Sequence, residues 1–188
     1  MARIDATRGV VVAPMLAAGA LLALALLSAM APSATATRAH GTSAPRHSLL
    51  SSRELWATID VCNPANEPDT VGIRGSMPGD GHEKDAMYMR FQLEYLDPQS
   101  KVWSVPAHGA DSGFIGVGAA KTGRQGGTSF QLSAPKSAPG YTMRGVVTFQ
   151  WRRGSRVVHQ TTRSTSAGHT NVARADPPGY SAATCAIA

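Results

Sequence analysis

The chain is short of cysteine, of aromatic residues and of clustered charge, and each shortage argues against a class of protein. Only two cysteines occur in 188 residues, Cys62 and Cys185, which disfavours a cysteine-built metal site or a redox pair. Aromatics make up 6%, and those nearest the arginine-rich stretch, Phe149 and Trp151, fall on the strand face opposite its arginines. A stacking platform for single-stranded nucleic acid is therefore not expected. Lys+Arg 18 against Asp+Glu 12 gives a net charge of +6 with no run of like charges. Charge so dispersed serves solubility first, while leaving an anionic cell wall or membrane surface as a partner and giving no specific nucleic-acid site.

What is present is a globular balance of 43% hydrophobic and 16% charged residues, enough for one core. Fourteen arginines stand against four lysines, a bias that, with abundant Ala and Gly, points to a GC-rich bacterial genome. Residues 1–36 form a targeting segment. Arg3 and Arg8 make a weakly basic start, Val10 to Ala31 is apolar, and Ala34-Thr35-Ala36 is a small-x-small cleavage site. The exported chain is expected to begin at Thr37, with Ala29-Met30-Ala31 as a competing site. The alternative is an uncleaved anchor at the outer face of the membrane, for which the apolar run is long enough. No cysteine lies near either cleavage site, which argues against a lipoprotein.

Residues 37–53 are rich in Ser, Arg, His, Gly and Pro and read as a flexible lead-in. The folded domain is expected over 54–165. Leu55, Ala57, Ile59 and Val61 alternate with polar or larger residues in a first strand, and Val71, Ile73 and Met77 mark a second. The third has the cleanest period of two, with Met87, Met89, Phe91, Leu93 and Tyr95 inward and Tyr88, Arg90, Gln92 and Glu94 outward, so it belongs in the middle of a sheet. Asp97-Pro98-Gln99-Ser100 turns the chain into a short strand bearing Trp103. Gly109 to Gly127 is glycine-rich without a clear period and is assigned only a short strand around Phe114 to Val117; Thr128 to Leu132 follows as another short strand.

The organising element is a hairpin from Tyr141 to Thr165. Tyr141, Met143, Gly145, Val147, Phe149 and Trp151 share one face, and Arg153-Gly154-Ser155 provides the turn. Residues 166–188 form a tail without apolar periodicity, expected to be tied back by a Cys62–Cys185 disulfide, since an exported chain meets oxidising conditions.

This order of elements, with a tryptophan-bearing fourth strand, the Thr128-Ser129-Phe130-Gln131-Leu132 strand and a tyrosine-led hairpin, resembles the fibronectin type III or immunoglobulin-like sandwich. The resemblance implies an all-β, antiparallel, two-sheet sandwich of about seven strands. It departs from antibody domains in lacking an inter-sheet cysteine pair with a tryptophan between, since Cys185 sits beyond the last sandwich strand. Gly72 to Pro78, Arg144 to Trp151 and Ala175 to Cys185 are also similar to uncharacterised secreted proteins of actinobacteria, a likeness that carries no activity.

Three constellations carry possible chemistry. Asp80-Gly81-His82-Glu83-Lys84-Asp85 gathers acids and a histidine, but its spacing fits no calcium loop and Lys84 opposes a cation, so a solvated loop is expected and no metal. His108, Asp111 and Ser112 hold the residue types of a hydrolase without the context of a nucleophile elbow. Arg144, Arg152, Arg153 and Arg156, with Arg163 beyond them, form a possible anion-binding patch, or else guard a long hairpin against edge pairing. The reading that results is a secreted, monomeric, non-catalytic binding or structural module of unknown ligand, without cofactor. A secreted hydrolase on the His/Asp/Ser loop and a membrane-tethered surface protein are its alternatives.

Overall fold

Alternation of apolar and polar residues builds two facing sheets in the computed structural model, which describes residues 47–133 and 140–187. The targeting segment, most of the lead-in and part of the Ser133 to Gly140 loop lie outside the described residues. A helical turn, α1 (His47–Leu50), is followed by β1 (Trp56–Cys62), β2 (Thr70–Met77), β3 (Asp85–Leu96), β4 (Trp103–Ser104), β5 (Asp111–Ala119), β6 (Arg124–Gln131), β7 (Tyr141–Arg153), β8 (Arg156–Ser164) and β9 (Cys185–Ile187). The smaller sheet has the order β1-β2-β6. The larger has β4-β3-β7-β8 as its path, with β5 also pairing β3 and β9 also pairing β7. Every ladder is antiparallel. This is the expected all-β, two-sheet architecture, compatible with a β-sandwich, with nine strands among the described residues rather than about seven.

The core lies where the inward faces meet. Ile59, Val71, Ile73 and Met77 from the smaller sheet face Met87, Met89, Phe91, Leu93, Val147, Phe149 and Trp151 from the larger, all at or below 1% exposure. Burying a side chain of this size is worth about 1.5–3 kcal/mol, so the paired strands β3 and β7 hold much of the stability. β3 is interior to its sheet as its pattern predicts, registered on β7 from Asp85↔Arg153 to Tyr95↔Met143. The indole of Trp151 donates to the Pro78 carbonyl at 3.0 Å, so its one polar atom is satisfied. Gly154 turns the hairpin with φ +57°, a conformation costly for residues with a Cβ. Gly145 has a different purpose. A Cβ there would sit 2.8 Å from Ile73 and from Thr165, so the glycine lets β7 approach the opposite sheet.

Three segments differ from their sequence reading. β1 buries both faces: Thr58 and Asp60 are as hidden as Ala57 and Ile59, while Val61 follows a register shift and is only half-buried. The cover is the C-terminal tail, whose Ala182 exchanges two backbone hydrogen bonds with Ile59, at 2.9 and 3.1 Å, and whose Asp176 N–H donates to the Asp60 carbonyl. The tail is thus held by backbone pairing as well as by the Cys62–Cys185 disulfide. β9 then joins the start of β7 and buries Ile187 completely. Second, the glycine-rich stretch holds the full strand β5 and a longer β6. Phe114 and Ile115, on opposite faces of β5, are 37% and 39% exposed, so no burial period could register in the sequence. Third, the end of the lead-in is ordered. Leu49 and Leu50 pack on the core, and Arg163 donates to the Leu50 carbonyl at 2.7 Å.

A candidate ligand-binding face on the larger sheet

The two sheets present unlike outer surfaces. On β1 and β2 the outer side chains are covered, Thr58, Asp60, Thr70 and Ser76 all being buried, and Asp60 is paired there with Arg74 at 2.8 Å. Burial raises the Asp60 carboxyl above the ordinary aspartate range despite Arg74. On the outer face of the larger sheet no tail segment lies over the strands among the described residues, and Gln150 is the one outward strand residue that is buried. Strand register aligns its side chains in rows: Tyr88, Gln150 and Gln160 in one, Arg90, Thr148 and Thr162 in the next. The Gln150 amide bonds Gln160, and the Thr148 and Thr162 hydroxyls lie 3.2 Å apart.

Aromatic and charged groups complete this face. Phe114 pairs with Arg90 across β5 and β3 and so shares the outer side. The Arg152 guanidinium lies 4.1 Å from the Tyr88 ring centroid and 4.8 Å from that of Phe114, a cation-π arrangement that fixes its plane. Its Nε donates to Gln150 Oε1 at 2.7 Å. Arg90 grips Asp111, with Nε to Oδ1 at 2.9 Å; that hydrogen bonding, aided by the Gly113 N–H, keeps the Asp111 carboxyl below the ordinary range.

Of the arginines expected as one patch, Arg153 and Arg156 are cross-strand partners at the hairpin end, next to Arg152, and Arg144 stands apart from them. Arg144 stands eight residues from Arg152 along β7, about 26 Å at 3.3 Å per residue. It pairs with Glu94 at 2.7 Å and lies over Trp103. Arg153 gives two bonds of 2.8 Å to Asp85, whose side chain is 1% exposed and whose carboxyl is held low chiefly by those bonds. Arg163 is spent on Leu50, Thr161 and Thr162. Arg156 is exposed beside the turn. Of the four expected residues, Arg144 and Arg153 are matched by carboxylates.

The other constellations are likewise placed in structural contacts. Ser112 Oγ accepts from the Phe91 N–H at 2.9 Å and donates to the Gly113 carbonyl at 2.7 Å, and Asp111 belongs to Arg90. His108 instead lines a cleft of about 510 Å³ with Tyr95, Leu132, Tyr141 and Met143. No hydrogen bond joins His108 to Asp111 or Ser112 among the described residues. Asp80, His82 and Asp85 do come together, with one ligand atom of each within 4.8 Å of the others. Both Asp85 oxygens, however, are engaged by Arg153, and Asp80 Oδ1 accepts from the His82 N–H at 2.8 Å. Glu83 points elsewhere, to Lys121 at 3.7 Å.

The sequence reading placed Tyr88 and Arg152 outward correctly but did not join them. Phe114 was lost in the glycine-rich stretch, and the glutamine and threonine rows required knowledge of register across the hairpin. No protein-family model and no curated protein matches the chain.

Proposed function

We propose that the protein is an exported, non-catalytic sandwich of the immunoglobulin or fibronectin type III kind. In this reading it binds its ligand at the bacterial surface or in the medium through the outer face of the larger sheet. The observation that carries the reading is the asymmetry of the two sheets: the tail lies over the β1 side of one outer face, while the other holds an ordered array of aromatic, amide and hydroxyl groups in which only Gln150 is buried. Such mixed surfaces suit recognition better than hydrophobic assembly. Export is supported by the disulfide, which persists in oxidising compartments. No helix among the described residues is long and apolar enough to cross a membrane. The hydrolase alternative is weakened because Ser112 and Asp111 are committed to backbone and arginine partners.

The test is retention of the purified protein on isolated cell envelopes. Thr162→Glu, on the open face, is expected to abolish retention, whereas Ser129→Glu, on the exposed side of β6, leaves it unchanged. Equal behaviour of the two variants would refute the assignment of the face. Release of soluble fragments from the envelope by the wild type, lost in Ser112→Ala, would establish the hydrolase instead.

A further inference from the structure

Arg152 differs from the other arginines of the larger sheet's outer face. Arg90 and Arg144 are neutralised there by Asp111 and Glu94, and Arg153 at the strand end by Asp85. Arg152 has no carboxylate partner among the described residues. Its Nε is used by Gln150, but its outer Nη edge bonds no described protein group, and the rings of Tyr88 and Phe114 hold the guanidinium plane. A fixed guanidinium with two parallel N–H donors free is a fork for a planar carboxylate. Holding it in place beforehand reduces the ordering cost of binding.

What surrounds the fork defines the rest of the ligand. Along β7 and β8 from Arg152 the next two rows offer Gln160, which is exposed and bonded to the buried Gln150, then Thr148 with Thr162. These are neutral donors and acceptors extending about 13 Å from the charge at 3.3 Å per residue. They match a hydroxyl-rich chain. A phosphodiester polymer or an anionic bilayer engages several unpaired cations at once, and this face supplies one. Exposed Phe114 and Val157 flank Arg152, but the glutamine and threonine rows carry no apolar centre of the kind a protein partner wants.

We propose that Arg152 anchors a carboxylated polysaccharide, its carboxylate on the guanidinium fork and its sugar hydroxyls on the glutamine and threonine rows of β7 and β8. The inference rests on the open-face reading above and names the ligand class for that face. The experiment is calorimetric titration of the purified, oxidised protein with polygalacturonate, its methyl ester, a glycerol phosphate polymer and phosphatidylglycerol vesicles. Polygalacturonate is expected to bind, and the ester to bind at least roughly tenfold more weakly, as befits loss of a charge-assisted pair. Arg152→Gln should reproduce that loss; Arg152→Lys should recover only part of it, lacking the fork; Arg156→Gln should change nothing. Equal affinity for acid and ester overturns the proposal without need of any variant, so it stays refutable if Arg152→Gln does not fold. Full recovery with lysine, an equal loss in Arg156→Gln, or preference for the phosphate polymer or the vesicles overturns it too. Exported protein that ignores polygalacturonate sinks this inference alone, whereas protein retained inside the cell sinks the reading beneath it.

Discussion

Replacing both cysteines, Cys62→Ser with Cys185→Ala, removes a crosslink between residues 123 apart in sequence. Cys62 is half-exposed and takes a hydroxyl, while Cys185, 2% exposed, takes a methyl. On the chain-entropy account a loop of this length stabilises the fold by about 5 kcal/mol, an upper figure because real gains fall short of it. The contacts that remain then decide where the loss appears. The tail keeps the Ile59–Ala182 hydrogen-bond pair, the Asp176 to Asp60 bond and the β9 ladder, but few large apolar groups beyond Ile187 and Val172. β3 and β7 keep their whole core. Urea unfolding should show a loss of about 2–5 kcal/mol with a folded domain remaining. Hydrogen exchange should show the amides of Asp176 and Ala182 opening before those of Phe91 and Phe149. Simultaneous loss of protection in tail and core strands would refute the reasoning, as would free thiols in the oxidised wild type.

Other consequences follow from named contacts. Gly145→Ala forces a methyl to within 2.8 Å of Ile73 and Thr165 and should cost about 1–3 kcal/mol in chemical denaturation; a neutral result would mean that the sheets do not approach there. Arg153→Glu strips the buried Asp85 of its partner and should lower the melting temperature clearly, while Arg156→Glu leaves it unchanged; equal effects would contradict the pairing. Carboxyl titration by NMR should place Asp85 and Asp111 below the ordinary aspartate range and Asp60 above it. For the first two, the stabilisation is present above the unfolded value of about 3.9 and is lost as pH falls through the depressed folded values. Asp60 acts in the opposite sense: its contribution is present below the unfolded value and is lost as pH rises through its raised folded value. An Asp60 midpoint at or below that of Asp111 would show that Arg74, and not burial, dominates its site.

Legibility in the sequence depended on whether a strand buries one face. β3 and β7 do, so Met87 to Leu93 and Met143 to Trp151 announced both their type and their inward residues. β5 buries almost nothing, and four glycines within Gly109 to Gly118 removed what alternation remained. The tail failed for another reason: Ala182 and Asp176 are held through their backbones, which leave no mark in a pattern of side chains. The candidate face was legible only in pieces. Tyr88 and Arg152 could be placed outward on their strands, yet the pairing Ala86↔Arg152 that sets the guanidinium beside Tyr88 follows from register between distant segments. The same holds for Arg90 with Asp111, 21 residues apart, and for Asp85 with Arg153, 68 apart.

The most direct test of an exported, oxidised binding module is the intact mass of the protein recovered from culture medium without reductant. The account predicts a chain that begins close to Thr37 and is lighter by two hydrogens than its reduced form, with both changes present in one species. A species that retains Leu21 to Leu27 and stays with the membrane, or one whose mass does not change on reduction, would contradict it.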